Sequence, residues 1–259
     1  MHADAVVATT RTSHHHLQVS ESPVEGAVKT ETLPFTVKIV HEESQLAKAV
    51  RIRYSAYNRH VPEFAQQLWE AEPYDREDGS VVLIAESKLD GEPLGTMRIQ
   101  SNRFKPLNIE TSVELPDWLR GQTMAQASRL GIGLGGIGRM VKIALFKAYY
   151  LYCVQAGIGW MVIAARPPLD KQYSDLLFTD VYPDLGYVPI KHAKGIPHRV
   201  MAFDVPGAEK LWREKGHPLL NFVVRTNHPD IDMTDRGMPG FRNPLSVANS
   251  LHAMEATPG

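Results

Sequence analysis

The sequence predicts an α+β (mixed α/β) domain with a largely antiparallel central sheet flanked by helices. Three observations carry this. Two alternating segments, SVVLIAES (80–87) and PLGTMRIQS (93–101), are joined through KLDGE, where Asp90-Gly91 is a hairpin signal. A single β-α-β crossover follows, from MAQASRLGIGL (124–134) through an amphipathic helix expected at 139–156 to WMVIAAR (160–166). Ahead of both, FTVKIVHEE (35–43) alternates as a strand. SQLAKAVRIRYSAYNRH (44–60) then carries Leu46, Ala49, Val50, Tyr54 and Tyr57 at helical spacing, with Ser44 as its expected N-cap.

The later elements complete the order β-α-β-β-β-α-β-α-β. Pro167-Pro168 closes the fifth strand, LDKQYSDLLFTDVYPDLGY (169–187) carries a second late helix, and HRVMAFDV (198–205) is the last strand. Residues 1–34 lack periodicity and are expected to be a disordered or flexible arm. The run His14–His16 within it is a sticky tail rather than a metal site, because a site needs ligands held in fixed geometry. Residues 217–259 are polar and rich in Pro, Gly and Asn, which reads as a partly irregular tail with a short helix at LSVANSLHAM. That tail either closes over the site or pairs protomers of a homodimer. One compact unit remains, 35–216.

Composition narrows the function classes. An apolar content of 43% with 22% charge is that of a soluble globular protein, and a net charge of −1 argues against nucleic-acid or anionic-membrane partners. No apolar run approaches the roughly 18 residues that span a bilayer, and the first residues lack a signal-peptide core, so a cytoplasmic protein is expected. The single cysteine, Cys153, falls among apolar helix neighbours and reads as a buried, inert thiol. No His-Glu-x-x-His and no Gly-x-Ser-x-Gly is present, so neither a metal hydrolase nor a serine nucleophile is supported.

The glycine turn GLGGIG fits Gly-x-Gly-x-x-Gly at Gly133, Gly135 and Gly138. A dinucleotide fold also needs an acid about 20 positions on, at the end of the next strand. Here that strand ends in Arg166, and no Asp or Glu lies between Gly138 and Asp170. The turn also follows three strands rather than the first, so NAD binding is rejected. A glycine turn opening a helix still presents free N–H groups and the positive dipole end. Arg139 and Lys142, in the first turn, run against the usual preference for acids there and make sense beside a bound anion. The competing reading is a turn that only permits tight packing.

Upstream, Arg53 lies on the apolar stripe of its helix, where it must be desolvated and needs a carboxylate. EPYDREDGS supplies Asp75 and Asp78, with Glu72 and Glu77 nearby. Arg98 alternates with Leu94, Thr96 and Gln100 in one strand, and Arg129 sits in the strand before the glycine turn.

Element order and turn resemble the GCN5-related N-acyltransferase superfamily, whose turn carries Gln/Arg-x-x-Gly-x-Gly/Ala. Gly136 and Gly138 match the small positions, although Gly133 stands at the leading one, and YPDLGY (182–187) is similar to the superfamily's Tyr-x-x-x-Gly-Phe. Across about 35–216 the chain resembles the acyl-homoserine lactone synthases and, more closely, the long-chain N-acyl amino acid synthases. Arg53 with Tyr57 matches their Arg-x-x-x-aromatic, Asp75 and Asp78 their Asp-x-x-Asp, and Arg98 their strand arginine. QASR matches their Glu-x-Ser/Gly-Arg, with Gln126 in place of the glutamate and Arg129 retained.

The resemblance implies transfer of a fatty acyl group from the phosphopantetheine thioester of acyl carrier protein or coenzyme A to the amine of an amino acid. The thioester is a donor substrate, and no tightly bound cofactor is expected. Gly136, Gly138, Arg139 and Lys142 would anchor the donor phosphate. Arg98 or Arg129 would hold the acceptor carboxylate or the loop covering it, Asp75 and Asp78 would order that loop, and Arg53 would join them. The alternative is that Arg53, the aspartates and the arginines form a purely structural ionic network. Gln126 and Arg129 occupy the catalytic strand, but a neutral amide cannot take a proton, so the base is another residue, with Asp78 one candidate. The spacing of three between Gln126 and Arg129 puts them on one face only if a bulge intervenes, and the superfamily resemblance implies such a bulge. Tyr173 and Tyr182 are candidate donors to the leaving thiolate, with aromatic packing the commoner fate. His192 and His198 read as ordinary loop histidines before a substrate role. Competing functions are lactone synthesis, plain acetyl transfer, and a non-catalytic binder of acylated carrier.

Overall fold

The computed structural model describes residues 29–234. The arm before 29, its His14–His16 run and the segment LSVANSLHAM lie outside the described residues. The chain enters through β1 (Lys29–Thr30) and β2 (Phe35–Ile39), then turns into α1 (Glu43–Asn58) and the single turn α2 (Pro62–Ala65). The hairpin β3 (Ser80–Ser87) and β4 (Pro93–Ser101) is followed by α3 (Asn108–Ser112) and β5 (Met124–Ile132). Next come α4 (Gly138–Gln155), β6 (Trp160–Ala165), α5 (Leu169–Asp175), β7 (Thr179–Asp180), β8 (Val188–Pro189) and β9 (Pro197–Asp204). The described chain closes with α6 (Ala208–Glu214), β10 (Thr226–Asn227) and β11 (Ile231–Asp232).

The main sheet runs in the order β11-β2-β3-β4-β5-β6-β9-β7. Its interior pairs are antiparallel except β5 with β6, the pair joined by the α4 crossover. The predicted antiparallel sheet with one β-α-β unit is therefore present. α4 lays Val141, Ala144, Leu145, Ala148 and Tyr152 on one face of the sheet, against Met97, Ile99, Ala125 and Ala127. Cys153 is buried in this layer, where desolvation pushes its thiol pKa up. The Tyr149 hydroxyl donates to Ala125 O at 2.5 Å and accepts the Val162 N–H at 3.0 Å. It thus clamps β5 to β6 within their pairing. That ladder ends at Ala127–Ile163 although both strands continue, so they part above it.

α1 covers the opposite face at β4 and β5. The approach is close: a Cβ built on Gly131 of β5 would lie 3.0 Å from Arg53 Cα and 3.3 Å from Ala56 Cβ. Only glycine lets the helix sit near enough for Arg53 to enter the protein.

Three expectations are corrected. Ser44 is inside α1 rather than its cap, because its hydroxyl contacts the Glu42 carboxylate at 3.3 Å while Gln45 accepts the His41 N–H at 2.9 Å. Packed structure begins before residue 35, since β1 pairs with β10 and Leu33 is buried. It also continues past 216. β11 pairs in parallel with β2, Asp230 accepts the Leu33 N–H at 2.7 Å, and Lys147 of α4 donates to Phe222 O at 2.9 Å. A few buried apolar residues, Leu220, Val223, Ile231 and Met233, suffice to pin a segment whose composition reads as loop.

Gly131→Ala should force α1 outward and destabilise the protein by about 1–3 kcal/mol, as overpacking does. A denaturant melt unchanged from wild type would show that α1 tolerates the displacement.

Candidate active site

The expected bulge lies in β5. Thr96 pairs with Gly131 and Arg98 with Ser128, so Arg129 and Leu130 together oppose Met97. Arg129 adopts φ +55, a left-handed conformation that a non-glycine residue rarely holds without surrounding constraint. The extra residue keeps Arg129 on the α1 face with Gln126 and Ser128, and turns Leu130 toward α4.

The constraint is ionic. Arg129 grips Glu72 through Nε and Nη2, at 2.6 and 2.7 Å. Arg53 grips Asp75 through Nη1 and Nη2, both at 2.8 Å. Arg98 Nη1 bridges the two carboxylates, 2.9 Å from Glu72 and 3.2 Å from Asp75, and its Nε donates to Ser128 Oγ at 3.3 Å. Arg53 and Arg98 are both 0% exposed. Glu72 and Asp75 flank a tight turn closed by the Glu72 N–H donating to Asp75 Oδ2 at 2.8 Å. Tyr74 lies under Arg98 and Phe64 under Arg129, with guanidinium-to-ring distances of 5.3 and 5.1 Å. Burial works to raise the Glu72 carboxyl pKa. The Arg129 hydrogen bond and the Arg98, Arg129 and Arg53 charges outweigh it, so the pKa is lowered. Asp75 is lowered in the same way against its burial, chiefly by Arg53.

Arg53, Asp75, Arg98 and Arg129 are thus brought together. Glu72 completes the set, a residue the sequence marks only as a neighbour of the aspartates. Asp78 is exposed on the turn before β3. Gln126 is buried on the same face, but its Oε1 accepts the Ile109 N–H at 3.2 Å and so holds α3 to the sheet.

On the α4 face a cavity of about 650 Å³ opens beside the parted strands. Leu130 and Ile132 of β5 form one wall and Phe146, Leu169 and Leu176 the far side, while Gly138, Arg139 and Lys142 line it from the start of α4. Gly135 (φ +139) and Gly136 carry the exposed turn that aims the first N–H groups of α4 outward. Lys142 is hydrogen-bonded to Gln172, and its ammonium pKa is lowered by burial and by Arg139. Tyr173 also lines the cavity, and burial, with a contribution from Tyr57, pushes its hydroxyl pKa well up. Tyr182 instead donates to Glu114 O at 2.6 Å, away from the cavity lining.

An N-acyl amino acid synthase, FeeM, from uncultured soil microbes superposes with a TM-score of 0.54 at 19% identity, covering 70% of this chain and 96% of that one. The CoA-dependent acyl-homoserine lactone synthase BjaI, solved with SAM and isopentyl-CoA, superposes with a TM-score of 0.50 at 14% identity. It covers 83% of this chain and 99% of BjaI. The fold is that of the GCN5-related N-acyltransferases. No protein-family model and no curated protein matches the sequence. In this acyltransferase fold the bulged strand is β5, and its Leu130 and Ile132 line the cavity. Among the described residues, no helix is long and apolar enough to cross a membrane.

Asp75→Asn leaves two guanidinium groups short of a buried counter-charge and should cost about 3–5 kcal/mol. The acid side of the stability profile gives a second readout. Folded-state carboxyl pKa values lie below the unfolded value of about 4, so the network's contribution is complete above that pH and is lost as pH falls through the lowered values. Wild-type stability should therefore drop more steeply below pH ~4 than that of Asp75→Asn. Parallel urea midpoints against pH for the two proteins would count against this.

Proposed function

We propose that the chain is an N-acyltransferase that moves a long-chain fatty acyl group from a phosphopantetheine thioester to the amine of an amino acid. The observation that carries this reading is the mostly apolar cavity that runs from the Arg139–Lys142 helix start to Leu130 and Ile132 of the bulged strand. Its apolar walls suit an alkyl chain, and its cationic rim suits the donor phosphate at a helix N-terminus. Gly136, Gly138, Arg139 and Lys142 anchor that phosphate. The carrier is acyl carrier protein or coenzyme A, bound as substrate.

The thioester carbonyl lies between β5 and β6 above Ala127. There, β5 backbone N–H groups freed of a β6 partner donate to the oxyanion as the amine attacks. The C–N bond forms, the C–S bond breaks, and Tyr173, held protonated, gives its proton to the departing thiolate. Arg129, the least enclosed arginine of the network, faces the acceptor carboxylate. Arg53, Arg98, Asp75 and Glu72 hold the segment that covers the acceptor. Gln126 positions α3, and Asp78, exposed on its turn, stands aside from the proton transfer. The fold-level likeness to BjaI, extending over 83% of this chain, favours lactone formation from SAM as the second reading.

Incubation of purified protein with palmitoyl-CoA or palmitoyl-acyl carrier protein and mixed amino acids should give N-acyl amino acids by mass spectrometry. A lactone formed with SAM would move the reading to the second function, and no product with any donor or acceptor would leave a non-catalytic binder. Arg139→Glu should weaken palmitoyl-CoA binding tenfold or more in a titration. Unchanged affinity would remove the phosphate site from the start of α4.

A further inference from the structure

The reaction proposed above needs a group that takes a proton from the attacking amine, and neither Gln126 nor Asp78 is placed for it. β9 supplies one. Alternation along β9 puts Val200 and Ala202 in the cluster with Met124 and Val162, and puts Met201 and Phe203 in the α4 core. His198 shares the side of Val200. That is the face of Gln126 and, by virtue of the bulge, of Arg129, opposite the α4 cavity. The β6–β9 ladder ends at Ala165–Arg199, so His198 stands one step beyond it, level with Arg166 at the open end of β6. Its ring is half-buried, and Nδ1 lies 2.7 Å from Ile196 O. A carbonyl can only accept, so Nδ1 carries the hydrogen and Nε2 keeps its lone pair.

We infer that His198 is the general base of the acyltransferase, its Nε2 taking the amine proton directly or through one water. The inference rests on the acyltransferase reading and deepens it by naming the residue that the glutamate-to-glutamine replacement at 126 leaves open. The transfer balances: the ammonium gives one proton to Nε2, the freed lone pair forms the C–N bond, the second proton leaving the nitrogen restores the Tyr173 hydroxyl that protonated the thiolate, and the imidazolium releases its proton to solvent between turnovers. The surroundings suit the role. Burial lowers the His198 pKa, the Ile196 carbonyl opposes that, and the positive charges of Arg166 and Arg129 lower it further, so the ring is neutral at physiological pH. β8 presents Val188 and Pro189 opposite, and Lys191 and Lys194 in the preceding loop are exposed. An imidazole between two cations resists holding a proton, which speeds its release.

The test compares wild type with His198→Gln on palmitoyl-CoA and palmitoyl-acyl carrier protein with mixed amino acids, following thiol release and amide mass. His198→Gln should lower kcat by about 10²–10³-fold with the KM for palmitoyl-CoA unchanged. The wild-type rate should show an acid limb with its midpoint below about 6.5, and the variant should lack it. Added imidazole should restore part of the variant's rate, which a merely structural histidine would not allow. If His198→Gln melts early, His198→Asn with the imidazole rescue replaces it. An active wild type whose variants keep the rate or the acid limb overturns His198 while leaving the acyltransferase standing. A wild type that makes no amide from either donor overturns both.

Discussion

The α1 face of this fold depends on desolvating three guanidinium groups against two carboxylates. Arg53 comes from α1, Arg98 from β4, Arg129 from the β5 bulge, and Glu72 and Asp75 from the turn before β3. Two bidentate pairs, Arg53 with Asp75 and Arg129 with Glu72, are joined through Arg98, whose Nη1 touches both carboxylates. Removing one member strands a buried charge, so the four segments order together or not at all. Such a network is weak evidence for high stability. What it fixes is geometry, including the left-handed backbone at Arg129 that no local preference would choose.

The bulge in turn divides the labour of one strand. Below it, Ala125 and Ala127 face α4 while Gln126 and Ser128 face α1 and α3. At Arg129 the alternation slips by one, so a charge stays on the helix-covered face and Leu130 and Ile132 are left to line the cavity. Apolar walls and a cationic rim lie on one side, and arginine, amide and imidazole on the other. Tyr149 ties Ala125 to Val162 within the paired stretch below the parting.

The order of the main elements along the chain and α4 were legible because they depend on alternation and helical spacing, which a few residues display. Arg53 was legible for the opposite reason, as a charge on an apolar stripe that demands a partner. Which acid answers it was not: Glu72, Asp75 and Asp78 look alike in a polar run, and the tight turn at Pro73 decides that the first two point inward. Gln126 matched a catalytic position by spacing, yet its oxygen serves the Ile109 N–H, a contact set by how α3 folds back. His198 looked like any loop histidine, since its neighbours come from β5 and β6, far off in sequence. The last described strand was misread as tail because two residues of ladder leave no periodicity to detect.

That short strand has a consequence for how the chain is made. β2 is synthesised early, but the carboxylate that accepts the Leu33 N–H comes 197 residues after Leu33, and β11, which covers the outer edge of β2, follows it directly. Until Asp230 has left the ribosome, β2 exposes a row of unpaired backbone groups, the template on which sheets from different chains join. Nascent protein is thus most vulnerable to intermolecular strand exchange in the interval between finishing α6 and finishing β11. Arrest of translation within that interval would leave a chain with most of its core and an open seam.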